Sequence, residues 1–174
     1  MLDDTLLRWL LAGDPAIDWQ TRRDLLDEPP PNYAADRARV AAEGWGAQLL
    51  AKQDAAGTWG GGLYSPKWIS TTYTLLLLRH CGLPPENEAA QRGCALLIER
   101  GFYRDGGINF FKSFHHSETC VTGMVLALRG YFRHDDARVP RVADHLLGQQ
   151  MADGGWNCES PKGATHGSFH TTIS

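Results

Sequence analysis

No two cysteines in this sequence share a CxxC spacing, and the four present, Cys81, Cys94, Cys120 and Cys158, follow no export signal. A disulfide framework is therefore not what organises the chain, and reduced thiols are expected. The opening MLDDTLLRWLLAG is partly apolar, but Asp3 and Asp4 precede the apolar residues and Arg8 interrupts them. That is the wrong charge order for a secretory signal. No apolar run approaches the roughly 20 residues of a membrane span. Basic charge is not in excess either: 17 Lys plus Arg stand against 20 Asp plus Glu, a net charge of -3. Without a positive field to hold a phosphate backbone, nucleic acid is not an expected partner. GxGxxG, P-loop, GxSxG and HExxH motifs are absent, which removes the common nucleotide and hydrolase chemistries. Strand-like alternation of apolar and polar residues is not sustained anywhere, so the expected class is all-α, in a soluble cytoplasmic protein.

What the sequence does contain is a turn motif that recurs. Residues 53–59 read QDAAGTW, residues 105–108 read DGGI and residues 150–156 read QMADGGW. Aligning Trp59, Ile108 and Trp156 gives intervals of 49 and 48 residues, a period typical of helical arrays. Before each turn lies the end of an amphipathic helix, at Leu49–Gln53, Leu96–Arg100 and Leu146–Gln150. After each turn comes a hydroxyl-rich motif, at 70–74, 118–122 and 170–174, with Ser or Thr in its second and fifth places. The segments YTLLLLRHCG and VTGMVLALRGYF that follow two of these motifs are apolar nearly all round and predict helices buried on every side. Residues 86–100 and 136–150 instead predict helices with one wet face, Pro140 falling in a first turn. Each repeat thus reads as one inner and one outer helix. Helices are also expected near 4–12, 18–26 and 34–53, with a break at Pro29–Pro31; this region, 1–43, is the atypical end of one domain whose repeats occupy 44–174. Because the sequence stops at Ser174 inside a hydroxyl motif, it is expected to be a piece of a longer array.

QDAAGTW, QMADGGW, their spacing and the apolar inner helices resemble the prenyltransferase and squalene-cyclase superfamily of α/α toroids, the first motif resembling its QW repeat. The resemblance covers residues 44–174. It implies a toroid of repeated helical hairpins of about 48 residues, here an incomplete ring, whose inner helices line a cavity for an isoprenoid or other apolar small molecule. A structural role for Trp59 and Trp156 follows without the family: the indole fills the gap between hairpins, the glycines allow the reversal and Gln bonds free backbone groups.

The resemblance extends to a metal site. Glu118 and Cys120 at the start of one inner helix, with His170 at the equivalent place of the next, resemble the zinc ligands of the protein prenyltransferases, with Glu where that family has Asp. Carboxylate, thiolate and imidazole form a donor set suited to zinc with a fourth position open. Glu118 also reads simply as a helix-start acid and Cys120 as a core filler. Cys158, His166, His116 and His115 are further candidates in the same loops. Each loop carries a lysine, Lys67, Lys112 and Lys162, placed to receive a diphosphate or merely to meet solvent. Trp68, Tyr73, Phe110, Phe111 and Phe114 are positioned to line an apolar cavity or to complete the core. The DxDD motif of the protonating cyclases is missing, and His134–Asp136 falls in an outer connection. The expected function is that of a prenyltransferase or terpene-cyclase type protein, possessing a zinc cofactor if catalytic. The alternatives are a lanthionine-cyclase-like zinc enzyme and a non-catalytic toroid that binds a peptide or protein partner.

Overall fold

The computed structural model describes residues 3–174, and within them the chain forms nine α-helices and no strand. They are α1 (Asp4–Leu11), α2 (Pro15–Asp24), α3 (Pro30–Arg39), α4 (Gly44–Leu50), α5 (Thr71–Cys81), α6 (Glu88–Gly101), α7 (Thr119–Tyr131), α8 (Val139–Gly148) and α9 (Phe169–Thr172). None of them is long and apolar enough to cross a membrane.

Local chemistry sets the helix starts. Asp3, Asp14 and Asn87 accept from main-chain N–H groups in the first turns of α1, α2 and α6. Such bonds satisfy donors that the helix itself leaves free. Proline opens α2 and α3 and sits in the first turn of α8, where its missing N–H costs nothing. The single helix expected over 34–53 is divided into α3 and α4. Gly44 takes φ +61° at the division, and the Trp45 N–H donates to Asp14 Oδ2 at 2.7 Å, so the chain turns there to meet α2. The expected break at Pro29–Pro31 is shorter than all three prolines, because α3 begins at Pro30 and takes Pro30 and Pro31 into its first turn.

Helices α5 and α7 hold the centre. α5 packs on α4, α6 and α7, while α7 packs on α5, α6, α8 and α9. Leu75, Leu78, Val121, Val125 and Leu128 from these two helices are fully buried, together with Leu97 and Ile98 of α6. Burial of each such side chain contributes on the order of 1.5–3 kcal/mol. The expectation that α5 and α7 are covered on every side is not met. Leu77 is 49% exposed, and Leu76, Met124 and Leu126 are only partly covered. Leu77 leaves one side of α5 open to water, while the apolar side chains of α7 away from the core are partly covered.

The glycine turns are bonded in similar ways. Trp59 Nε1 donates to Leu49 O and Trp156 Nε1 to Leu146 O, both at 2.7 Å. Gln53 Nε2 donates to Gly57 O at 3.0 Å, and Gln150 Nε2 to Gly154 O at 2.8 Å. Trp59 is fully buried against Gly93 of α6, where any side chain larger than hydrogen would collide with the indole. Trp156 is only half-buried.

Candidate functional site

Two aspartates bring the loops to the starts of α7 and α9. Asp105 accepts from Gly107 N–H (3.1 Å), Ser117 N–H (2.8 Å) and Ser117 Oγ (2.6 Å). Asp153 accepts from Gly155 N–H (3.1 Å) and Gly167 N–H (2.7 Å). Beyond them, Glu118 N–H donates to Ile108 O and Ser168 N–H to Trp156 O. Thr122 Oγ1 accepts from Ile108 N–H and Thr172 Oγ1 from Trp156 N–H, each at 3.0 Å. These bonds match Glu118 with Ser168 and Cys120 with His170. The alignment of Glu118 with His170 made on sequence is therefore off by two positions: α7 begins eleven residues after Ile108, but α9 begins thirteen after Trp156.

The same bonding carries the loop after Trp156 onto the first turn of α7. Cys120 N–H points at Cys158 Sγ at 3.3 Å, and Cys158 N–H donates to Thr171 Oγ1 at 3.3 Å. The Cys120 thiol also hydrogen-bonds to the Cys158 sulfur and is the largest cause of lowering the Cys158 thiol to about 6. The amides of Cys120 and Thr119 and the Thr171 hydroxyl work in the same direction, while burial opposes them. Cys120 is driven the other way: donation to Cys158, and then burial, hold its proton on. The pair thus favours loss of the Cys158 proton and retention of the Cys120 proton.

Glu118 borders the pair. Burial raises its carboxyl above the ordinary range, the negative charge of Cys158 adds to that, and His116, Lys67 and Lys162 oppose it. Two of the three loop lysines thus project their charge onto this corner. Lys162 is held by Glu159 at 3.0 Å, and all three lysines are exposed. Lys112 instead borders a cavity of about 400 Å³ walled by Tyr64, Phe110 and Phe111.

The histidines are dispersed. His116 stacks on Phe114 at 5.8 Å, His170 meets Phe169 edge-on at 6.2 Å, and His166 contributes only its carbonyl, to Asn157. His115, His166 and His170 are exposed. Among the described residues no three His, Cys, Asp or Glu side chains are grouped as metal ligands. Of the expected ligand set, Glu118 and Cys120 lie with Cys158, and His170 stands on the exposed side of α9.

Aromatic rings form a continuous series whose hub, Tyr64, feels the charge of Cys120 and Glu118. Trp68 and Tyr73 are 5.2 Å apart, Tyr73 and Tyr64 5.2 Å, Tyr64 and Phe111 5.4 Å, and Phe111 and Phe114 5.2 Å. Tyr64 is the hub, buried and also stacked on Phe110, and sequence reasoning passed it over. Its signal was available: a tyrosine two residues after the Gly60–Gly62 run of the first turn, in the same loop as Trp68. Thr171 was likewise read as part of a motif and not as a partner for a thiolate. With this geometry in view, the chain was compared with known proteins, and no family model, curated protein or solved structure matches it. The site has to be read from its own chemistry.

Proposed function

We propose that this chain is a helical-hairpin array of the prenyltransferase and terpene-cyclase type, which takes an isoprenoid or other long apolar substrate beside a cysteine centre. The observation that carries the reading is the adjacency of the Cys158–Cys120 pair and Glu118, joined through His116 to the aromatic series from Phe114 to Trp68. An apolar chain suits the rings, whose faces also favour a developing carbocation. The turns support the same reading, since indole-to-carbonyl and amide-to-hydroxyl bonds recur at intervals like those of the sequence motif.

The donors fit zinc by their chemistry. A sulfur whose proton is held more loosely than usual, a second sulfur beside it and a carboxylate are donors of the kind a borderline-soft cation selects. Cys158 and Cys120 would supply sulfur to it and Glu118 a carboxylate; these three do not stand as a ready ligand group among the described residues, so binding would have to draw them together, and His170 lies apart from them. Zinc would keep sulfur deprotonated and supply Lewis acidity. The chain's own contribution is to hold the Cys158 proton off, exclude water with the aromatic rings and present Lys67 and Lys162 to an anionic leaving group such as diphosphate.

Elemental analysis of purified protein, paired with titration by farnesol followed through tryptophan fluorescence, tests the proposal. One zinc per chain, lost in Cys120→Ser and in Cys158→Ser, together with saturable farnesol binding, is the expected result. Wild-type protein with neither zinc nor farnesol binding would end it. The second reading, a non-catalytic array that binds a peptide, is favoured by Trp68 and Ile69, which are 78% and 59% exposed. Peptide binding with no response to farnesol selects it.

A further inference from the structure

At the far end of α7 lies an arginine with nothing to bond. Arg129 is 2% exposed, and its Nε, Nη1 and Nη2 atoms are all buried without a hydrogen-bond partner. A guanidinium has five donors, and leaving a buried charged group unsatisfied is among the costliest arrangements a fold can hold. Asp136 and Asp135 act on it through charge, but neither bonds it. Asp136 is taken by Arg138, through Nε at 2.8 Å and Nη2 at 2.7 Å. Burial draws the Arg129 guanidinium below its ordinary range, as expected of a cation short of counter-charge.

Arg129 lines a cleft of about 740 Å³ between α7 and the loop that leads into α8. Its remaining walls are largely apolar, with Leu126, Ala137, Val139 and Pro140 among them. That volume lies within the range of small-molecule sites, which combine apolar walls with a few placed polar groups. We propose that this cleft binds an amphipathic monocarboxylate, the Arg129 guanidinium turning from its buried place in the wall to meet the carboxylate and the hydrocarbon tail lying along Leu126, Val139 and Pro140.

Charge and shape select that class. A guanidinium and a carboxylate match as planar, bidentate partners. Asp135 and Asp136, with His134, line the same cleft and the two carboxylates offset the positive charge of Arg129 and Arg133, so a single negative charge suits the cleft better than the multiple charge of a phosphate. Arg133 is itself 74% exposed and loosely paired with Glu86 at 3.7 Å, which makes it a rim group and leaves Arg129 as the anchor. The site is separate from the cysteine centre. Arg129 and Cys120 are nine residues apart on one helix, or about 13 Å at 1.5 Å per residue.

The experiment is calorimetric titration of the whole chain with octanoate, 1-octanol and inorganic phosphate, repeated with Arg129→Met and Arg133→Gln. Saturable octanoate binding at least about tenfold tighter than octanol is expected in the wild type, the effect of one charge-assisted pair. Arg129→Met should lose that preference, binding octanoate at least about tenfold more weakly and octanol within about twofold of the wild type, while Arg133→Gln keeps it. Should Arg129→Met fail to fold, the octanoate-to-octanol ratio of the wild type decides alone. Octanoate bound no tighter than octanol, or equally well by folded Arg129→Met, overturns the proposal. Phosphate bound more tightly than octanoate overturns the ligand class, and self-association without octanoate binding assigns Arg129 to a carboxylate of a second copy.

Discussion

The main-chain N–H of Cys120 points at the sulfur of Cys158, 3.3 Å away across 38 residues of sequence. One sulfur thereby receives donors from a helix start and from a neighbouring thiol, an arrangement that favours its anion.

Alkylation should reveal this. Cys158 has its thiol lowered from 9.0 to about 6, so its reaction with iodoacetamide should reach half its maximum near pH 6. Cys94, fully buried and pushed up to about 12, should stay unmodified until the protein unfolds. In Cys120→Ala the main donor is lost and the midpoint for Cys158 should move upward. Mass-spectrometric mapping between pH 4.5 and 9 checks all three, and a Cys158 midpoint above pH 8 in the wild type would contradict the arrangement.

The same shift has a consequence for stability, whose sign follows from proton counting. Between about pH 6 and 9 the unfolded chain keeps the Cys158 proton that the folded chain has released, so this group makes stability rise with pH across that window. The contribution is complete above 9 and is lost as pH falls through about 6. Cys120, raised in the folded state, acts oppositely above 9. Urea denaturation of wild type and Cys158→Ala over this range should give curves that diverge as pH rises from 6, and parallel curves would refute the linkage.

The two tryptophans should differ in consequence. Trp59→Ala removes a fully buried indole and should cost about 3–5 kcal/mol. Trp156 makes the same bond to a helix carbonyl but is half-buried, so Trp156→Ala should cost roughly half as much. Chemical denaturation of both variants measures the difference, and equal losses would mean that the carbonyl bond and not burial dominates.

Loop anchoring is testable through Asp105. Asp105→Ala deletes three hydrogen bonds, including those that hold Ser117 next to α7, and should cost about 2 kcal/mol. Asp153→Ala deletes two, in a more exposed turn, and should cost less. Because Asp153 ties Gly167 to its own loop, its loss should also free Cys158 from Cys120 and raise the alkylation midpoint of Cys158.

At Gly82, the residue after α5, φ is +87° and the Trp19 indole lies against the position where a Cβ would stand. Gly82→Ala should destabilise by about 1–3 kcal/mol, from backbone strain alone before any clash is counted. A melting temperature within a degree of the wild type would contradict the strain as well as the clash with Trp19.

Much of the helical framework was legible because it depends on neighbours in sequence. Apolar spacing marked α5, α6, α7 and α8, glycines marked the turns, and Pro140 fell in a first turn as its missing N–H requires. The division of 34–53 was not legible, since it depends on Asp14 reaching Trp45 from another helix. Nor was the exposure of Leu77, because an apolar helix reads the same whether or not something covers it.

The site divides along the same line. Sequence alone determined which residue types stand at the helix starts: a carboxylate and a thiol at 118 and 120, a thiol at 158, aromatic residues in the loops and a lone arginine in the apolar α7. Only tertiary structure decided which of them meet. Two extra residues before α9 shift His170 off the position of Glu118, and the turn held by Asp153 lays Cys158 on Cys120. Hydrogen bonds between segments dozens of residues apart depend on how helices pack, and no local pattern encodes that distance.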